Sequence, residues 1–222
     1  ACVMMLVEEG KINLQHTLDN YLPEYTYASQ ITIRQMLNMM SGIPDMINEV
    51  IVEEIEQDKT ERTQEEQLIF EYQTQSRCFF FSEVLELVNN RELNFEPGTS
   101  MNYSNTNYSF LGFIVERLSG QSLGTFMEER IFRPLHMNET TCNPSMATSI
   151  GYARMDGKIV RLGYGNDMSG DGCIVTTATN LSLWLNAVLT KNAILSKQSW
   201  EQILTMVPNP DKSNWLENYG FG

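Results

Sequence analysis

Three consecutive residues, Tyr103-Ser104-Asn105, bring together side chains that can carry chemistry. They sit just after a Pro97-Gly98 turn and just before an apolar helical pattern that starts at Tyr108. A phenol beside a cationic lysine has its pKa lowered and can serve as general base or acid. A carboxamide next to it can hold a substrate carbonyl or amide in register. A structural alternative stays open: Ser104 or Asn105 can cap the helix while Tyr103 packs on the body. The tripeptide alone does not separate the two readings, because such triplets occur in unrelated loops. Other reactive residues are sparse. With only two histidines, His16 and His136, a multi-histidine metal site is impossible. The four cysteines, Cys2, Cys78, Cys142 and Cys173, are scattered without a C-x-x-C pair, so they outline neither a zinc site nor a disulfide framework. Cys173 could be a reactive thiol, yet no neighbour in sequence would lower its pKa. No metal and no organic cofactor is implied.

The elements that must position Tyr103 and Asn105 read mainly as helices. Thr32-Ile33-Arg34-Gln35 is a capping box that opens a helix to Met40, closed by Ser41-Gly42 and Pro44. Thr63-Gln64-Glu65-Glu66 opens a second helix near 67–75, and a third is expected over 82–90. Phe110, Leu111, Ile114 and Leu118 share one face of a helix from Tyr108 to Leu118, and Leu123 to Phe132 continues as helix up to Pro134. Asp156-Gly157 between 152–155 and 158–161 predicts a hairpin with a type I′ turn. The glycine-rich stretch 163–172 reads as a loop. Asn180 is expected to cap a helix through Val188, and Ser196 a last one through Met206.

Composition bounds the partners. The chain has 222 residues, is 42% hydrophobic and 10% aromatic, and so has material for a real core. A net charge of -13 repels polyanions, so neither nucleic acid nor an anionic membrane surface is a fitting partner. No apolar run approaches the roughly 20 residues needed to span a bilayer. Residues 45–66 hold nine acids against Lys59 and Arg62. They could shape a cleft rim or select a cationic substrate, or they could be a solvated helical face. The 13 methionines suit core filling or an adaptable pocket.

Residues 1–9 read as the second half of a buried helix, stopped at Gly10, and the end from Asn218 to Gly222 reads as the start of a strand. The chain is therefore expected to be an interior piece of a longer protein, with its main sheet strands largely outside it.

The run Pro97-Gly98-Thr99-Ser100-Met101-Asn102-Tyr103-Ser104-Asn105 resembles the second motif region of the serine β-lactamase and penicillin-binding protein superfamily. The likeness is greatest to its class C-like branch of β-lactamases, D-Ala-D-Ala carboxypeptidases and related esterases. Leu6 to Ile12 resembles the end of that family's nucleophile helix. Thr32 to Leu37 with Ser41-Gly42-Ile43-Pro44-Asp45 resembles its "IRQLL…TSGIPD" segment. Leu111 to Ser122 and Ile131 to Met137 resemble the helices behind the second motif, and Gly172 to Leu181 resembles its "GGLVSTARDL" wall. Met39-Met40 stands where the family usually has His-Thr, and His136 where it usually has Gly.

The resemblance implies the mainly α part of an α/β, β-lactamase/transpeptidase-like fold. It would be one domain over 1–222, truncated at both ends, with a helical body over about 12–145 and a hairpin and wall segment over about 150–190. It implies a serine hydrolase that forms an acyl-enzyme on a β-lactam, a D-Ala-D-Ala peptide or an ester, with Tyr103 as proton relay and Asn105 as substrate-positioning amide. It also implies a cell-envelope or secreted protein. The family's Ser-x-x-Lys nucleophile motif matches nothing here, since no serine stands three residues before any lysine. That motif is expected upstream of Ala1, and the third motif beyond Gly222. A catalytically silent homologue that binds ligand in the same cleft is the alternative.

Overall fold

α1 (Cys2–Glu8) buries Val3, Met4, Met5 and Leu6, as its uniformly apolar sequence demands. Gly10 then takes a φ of 71°, the left-handed turn that ends the helix. The computed structural model describes residues 1–163, 170–191, 193–212 and 215–222. In it α1 packs on α6 (Asn105–Ser119), the helix around which the site is built. α6 buries Phe110, Leu111, Ile114 and Val115, and stops at Gly120 in left-handed backbone. It starts at Asn105 rather than at Tyr108, because its first turn is polar and its inward residues are Thr106 and Asn107. An apolar-periodicity reading skips such a turn.

α2 (Ile33–Leu37) lies against α6 and has the expected capping box. The Thr32 hydroxyl accepts from the Gln35 N–H at 3.2 Å, and the Gln35 carboxamide accepts from the Thr32 N–H at 2.7 Å. This helix ends before Met40, because Met39 has a φ of 59°. Residues 46–51 form a π-helical turn that runs into α3 (Val52–Gln57). Val50, Ile51 and Ile55 are buried there, while Glu53, Glu54 and Glu56 stay in water. Most of the acidic stretch is thus a solvated face, with Asp45 the exception. α4 (Gln64–Gln75) opens on the Thr63–Glu66 box, α5 (Phe81–Val88) follows, and α7 (Leu123–Met127) continues as a π-helical turn to Phe132.

β1 (Gly151–Met155) and β2 (Lys158–Gly163) form the expected antiparallel hairpin. Asp156 and Gly157 both take positive φ, 49° and 79°, as a type I′ turn requires. Of the glycine-rich stretch, residues 164–169 lie outside the described residues. α8 (Ala178–Thr190) is capped by Thr177, whose hydroxyl accepts from the Asn180 N–H, so Asn180 is inside the helix and not its cap. α9 (Lys197–Leu204) has the expected Ser196 cap and ends before Met206. β3 (Val207–Pro208) pairs with β4 (Asn218–Tyr219), so the strand at the end of the chain has one partner within these residues. The described residues are helical with two small antiparallel sheets, in keeping with a partial α/β fold. No helix among them is long and apolar enough to cross a membrane.

Candidate active site

The loop from Met39 to Asp45 and the segment from Asn94 to Asn102 are zipped together. Asn94 donates to the Gly42 carbonyl, Gly98 to Met40 and Asn102 to Met39, at 2.8, 2.8 and 3.0 Å. Gly42 is required: its φ is 76°, and a Cβ there would lie 2.2 Å from the Phe95 carbonyl oxygen. The polar first turn of α6 then locks onto the same loop. Thr106 donates to the Pro44 carbonyl at 2.7 Å and accepts from the Met46 N–H at 2.9 Å. Ser41 donates to the Asn107 carboxamide oxygen at 2.6 Å. All of these side chains are buried, so each unpaired group would cost about 1–3 kcal/mol. Ser104 takes the N-cap position but its side chain makes no cap bond; its hydroxyl points to the Pro44 carbonyl at 3.4 Å. Asn105 does not cap the helix either.

Asn105 is held by Asp45 instead. The Asn105 Nδ2 donates to both carboxylate oxygens of Asp45, at 3.1 and 2.9 Å. Asp45 is only 1% exposed. It also caps the turn over 46–51, accepting from the Ile47 and Asn48 N–H groups at 2.9 and 3.2 Å and from the Asn48 side chain at 2.7 Å. A carboxylate can only accept, so the NH₂ of Asn105 must face Asp45, which leaves its Oδ1 as the group on offer. Asn105 lines a cleft of about 410 Å³ together with Ile47, Tyr72, Ser76, Asp171 and Cys173.

Tyr103 stands at this site but does not line that cleft. Tyr103 is 39% exposed. Partial burial raises its phenol pKa, and the nearby carboxylates of Asp45 and Asp171 raise it further. Among the described residues no cation acts on it, so these residues hold the phenol protonated rather than primed as a base. The wall that faces α6 is set by close packing: a Cβ at Gly170 would lie 2.1 Å from the Tyr108 carbonyl oxygen. Ser109 on α6 donates to Asp171 at 2.5 Å, which fixes that carboxylate beside the cleft. Neither His16 nor His136 lines the cleft, and no group of metal-ligating side chains is found among the described residues.

Asp45 and Asp171 are the site residues that the sequence did not single out. An Asp ahead of an apolar helical run is an N-cap signal, so Asp45 was findable as a cap though not as the partner of Asn105. Nothing local points to Asp171.

The helical body with its two small antiparallel sheets has the fold of solved penicillin-binding proteins. A crystal structure of a D-stereospecific amidohydrolase from Streptomyces sp. superposes with a TM-score of 0.81 at 23% identity, covering 99% of this chain and 65% of that one. Protein flp of Staphylococcus aureus strain N315 is 29% identical over 159 residues, 68% of this chain and 28% of that protein. Penicillin-binding protein 4* of Bacillus subtilis strain 168 is 29% identical over 140 residues, 62% of this chain and 27% of that protein. The chain thus aligns with less than a third of the length of these two relatives. The Beta-lactamase family model matches residues 1–222, and the chain belongs to that family, within the serine β-lactamase/transpeptidase superfamily.

Proposed function

We propose that this chain is the part of an acyl-serine hydrolase that relays a proton through Tyr103 and aligns the substrate with Asn105. The observation that carries the reading is the Asp45–Asn105 pair, buried on one side and open to a cleft on the other, with Tyr103 beside it. In this scheme the nucleophilic serine and its lysine come from the longer protein, N-terminal to α1. A lysine ammonium brought beside Tyr103 is drawn to the field of Asp45 and Asp171. It reverses the upward shift of the phenol and prepares Tyr103 to exchange a proton with the serine or the leaving group. Asn105, with its Oδ1 turned outward, accepts an N–H from the substrate or from that lysine, so amide-bearing substrates suit it better than simple esters. The names of two relatives agree with amide or β-lactam chemistry: one is a penicillin-binding protein and the other a D-stereospecific amidohydrolase. A cleft of about 410 Å³ suits a β-lactam or a short D-amino-acid peptide or amide.

The test is acylation of the complete protein by a reactive penicillin, read by intact mass and peptide mapping. The expected adduct is on a serine N-terminal to residue 1, in a Ser-x-x-Lys context. A label on a serine within 1–222 contradicts the assignment of the nucleophile. Complete protein that binds the penicillin and releases it unchanged is the silent homologue.

A further inference from the structure

Three of the four cysteines, far apart in sequence, converge in the fold. The Cys173 thiol donates to the Cys142 sulfur across 3.2 Å, and both residues are buried. The segments that carry them are clamped together. Thr141 and Val175 exchange two backbone hydrogen bonds of 2.9 and 2.8 Å, and the Thr140 and Thr176 hydroxyls bond at 2.7 Å. Gly124 makes room for this contact, since a Cβ there would lie 3.1 Å from the Cys142 Cβ. Cys173 lines two cavities, the cleft beside Asn105 and an apolar cavity of about 420 Å³ that it shares with Cys2. Cys142 lines neither. Small reagents therefore reach Cys173 first, with Cys142 held behind it.

We propose that Cys142 and Cys173 are a redox modification site, a dithiol that a small organic disulfide converts to a disulfide and so ties the cleft wall to the Thr140–Cys142 segment. The Cys173 thiolate attacks one sulfur of the reagent RSSR, forms a mixed disulfide and releases RS⁻. The Cys142 thiolate then attacks the Cys173 sulfur, forms the Cys142–Cys173 bond and expels the second RS⁻. The two protons lost by the protein thiols end on two RSH, and the reagent takes the two electrons. In the reduced pair the hydrogen bond from Cys173 holds the Cys142 thiol below its ordinary pKa. Burial pushes the Cys2 thiol up, so the nearest competing sulfur stays protonated.

Hydroxyethyl disulfide is the probe. The chain is exposed to it, quenched in acid, then denatured and alkylated with a maleimide. The expected product has lost two hydrogens and takes two maleimides on its four cysteines, with Cys142 and Cys173 joined in one linked peptide pair. Cys2→Ser and Cys78→Ser keep the link. Cys142→Ser traps the hydroxyethyl adduct on Cys173, an outcome that a merely structural pair of thiols would not give. Four maleimides after exposure, or a link that runs through Cys2 or Cys78, overturns the proposal.

Discussion

At Asp45 one carboxylate accepts from two backbone N–H groups and from the side chains of Asn48 and Asn105. Asp45→Ala removes all of these acceptors at a buried position, so it should lower stability by about 1–3 kcal/mol, read as the urea midpoint. Asp45→Asn keeps one acceptor oxygen and should cost less. Equal midpoints for wild type and the alanine variant would contradict the network. His136 gives the opposite case. Its φ is 58°. Left-handed backbone strains a residue with a Cβ, while glycine adopts it freely. His136→Gly should therefore raise the melting temperature, with a gain of about 0.5–1 kcal/mol after the larger chain entropy of glycine is subtracted. A lower melting temperature would mean that the imidazole makes contacts worth more than the strain.

The wall segment and α6 are held at a distance that only glycine permits. Gly170→Ala would put a methyl group 2.1 Å from the Tyr108 carbonyl oxygen, so wall or helix must move. Overpacking of this kind costs about 1–3 kcal/mol. Because Asp171 and Cys173 follow directly, the same change should also weaken substrate binding in the complete protein, seen as a higher KM. An unchanged KM with unchanged stability would show that the wall is free to shift. Capping boxes, the Asp-Gly hairpin and the apolar face of α6 were legible in sequence because each is decided within four or five neighbouring residues. The start of α6 and the cap of α8 were not. The first turn of α6 is polar because it bonds to a loop some 60 residues earlier, and Thr177 takes the cap of α8 with its own hydroxyl, three residues ahead of the equally suitable Asn180. Tyr103 and Asn105 could be picked out as chemistry, yet the partner that orients Asn105 lies across the same long separation. The Cys142–Cys173 contact is a product of folding in the same sense.

Over the whole molecule, buried phenols make alkaline pH the sensitive side. Burial raises the pKa of Tyr25, with a further push from Tyr27, and burial with the neighbouring Tyr219 raises that of Tyr108. The folded state therefore favours the neutral phenols, whereas the unfolded chain ionises them near about 10. Their contribution is complete below that pH and is lost as pH rises toward the folded values. The melting temperature should fall steeply above about pH 10, and a Tyr25→Phe, Tyr108→Phe variant should fall less. Parallel curves for the two proteins would assign the alkaline loss to other groups. Leu181, Leu185 and Leu189 form one exposed apolar stripe on α8, whereas α1 is covered along Val3 to Leu6.

The central claim, that the Tyr103 phenol moves a proton, is tested by kcat of Tyr103→Phe in the complete protein. The substitution keeps the ring that packs and removes the only titratable atom. General acid–base groups contribute about 100- to 10,000-fold, so kcat on a chromogenic β-lactam or a D-amino-acid amide should fall at least about tenfold with the circular dichroism spectrum unchanged. Wild-type kcat in the phenylalanine variant would contradict the account and leave Tyr103 as a packing residue.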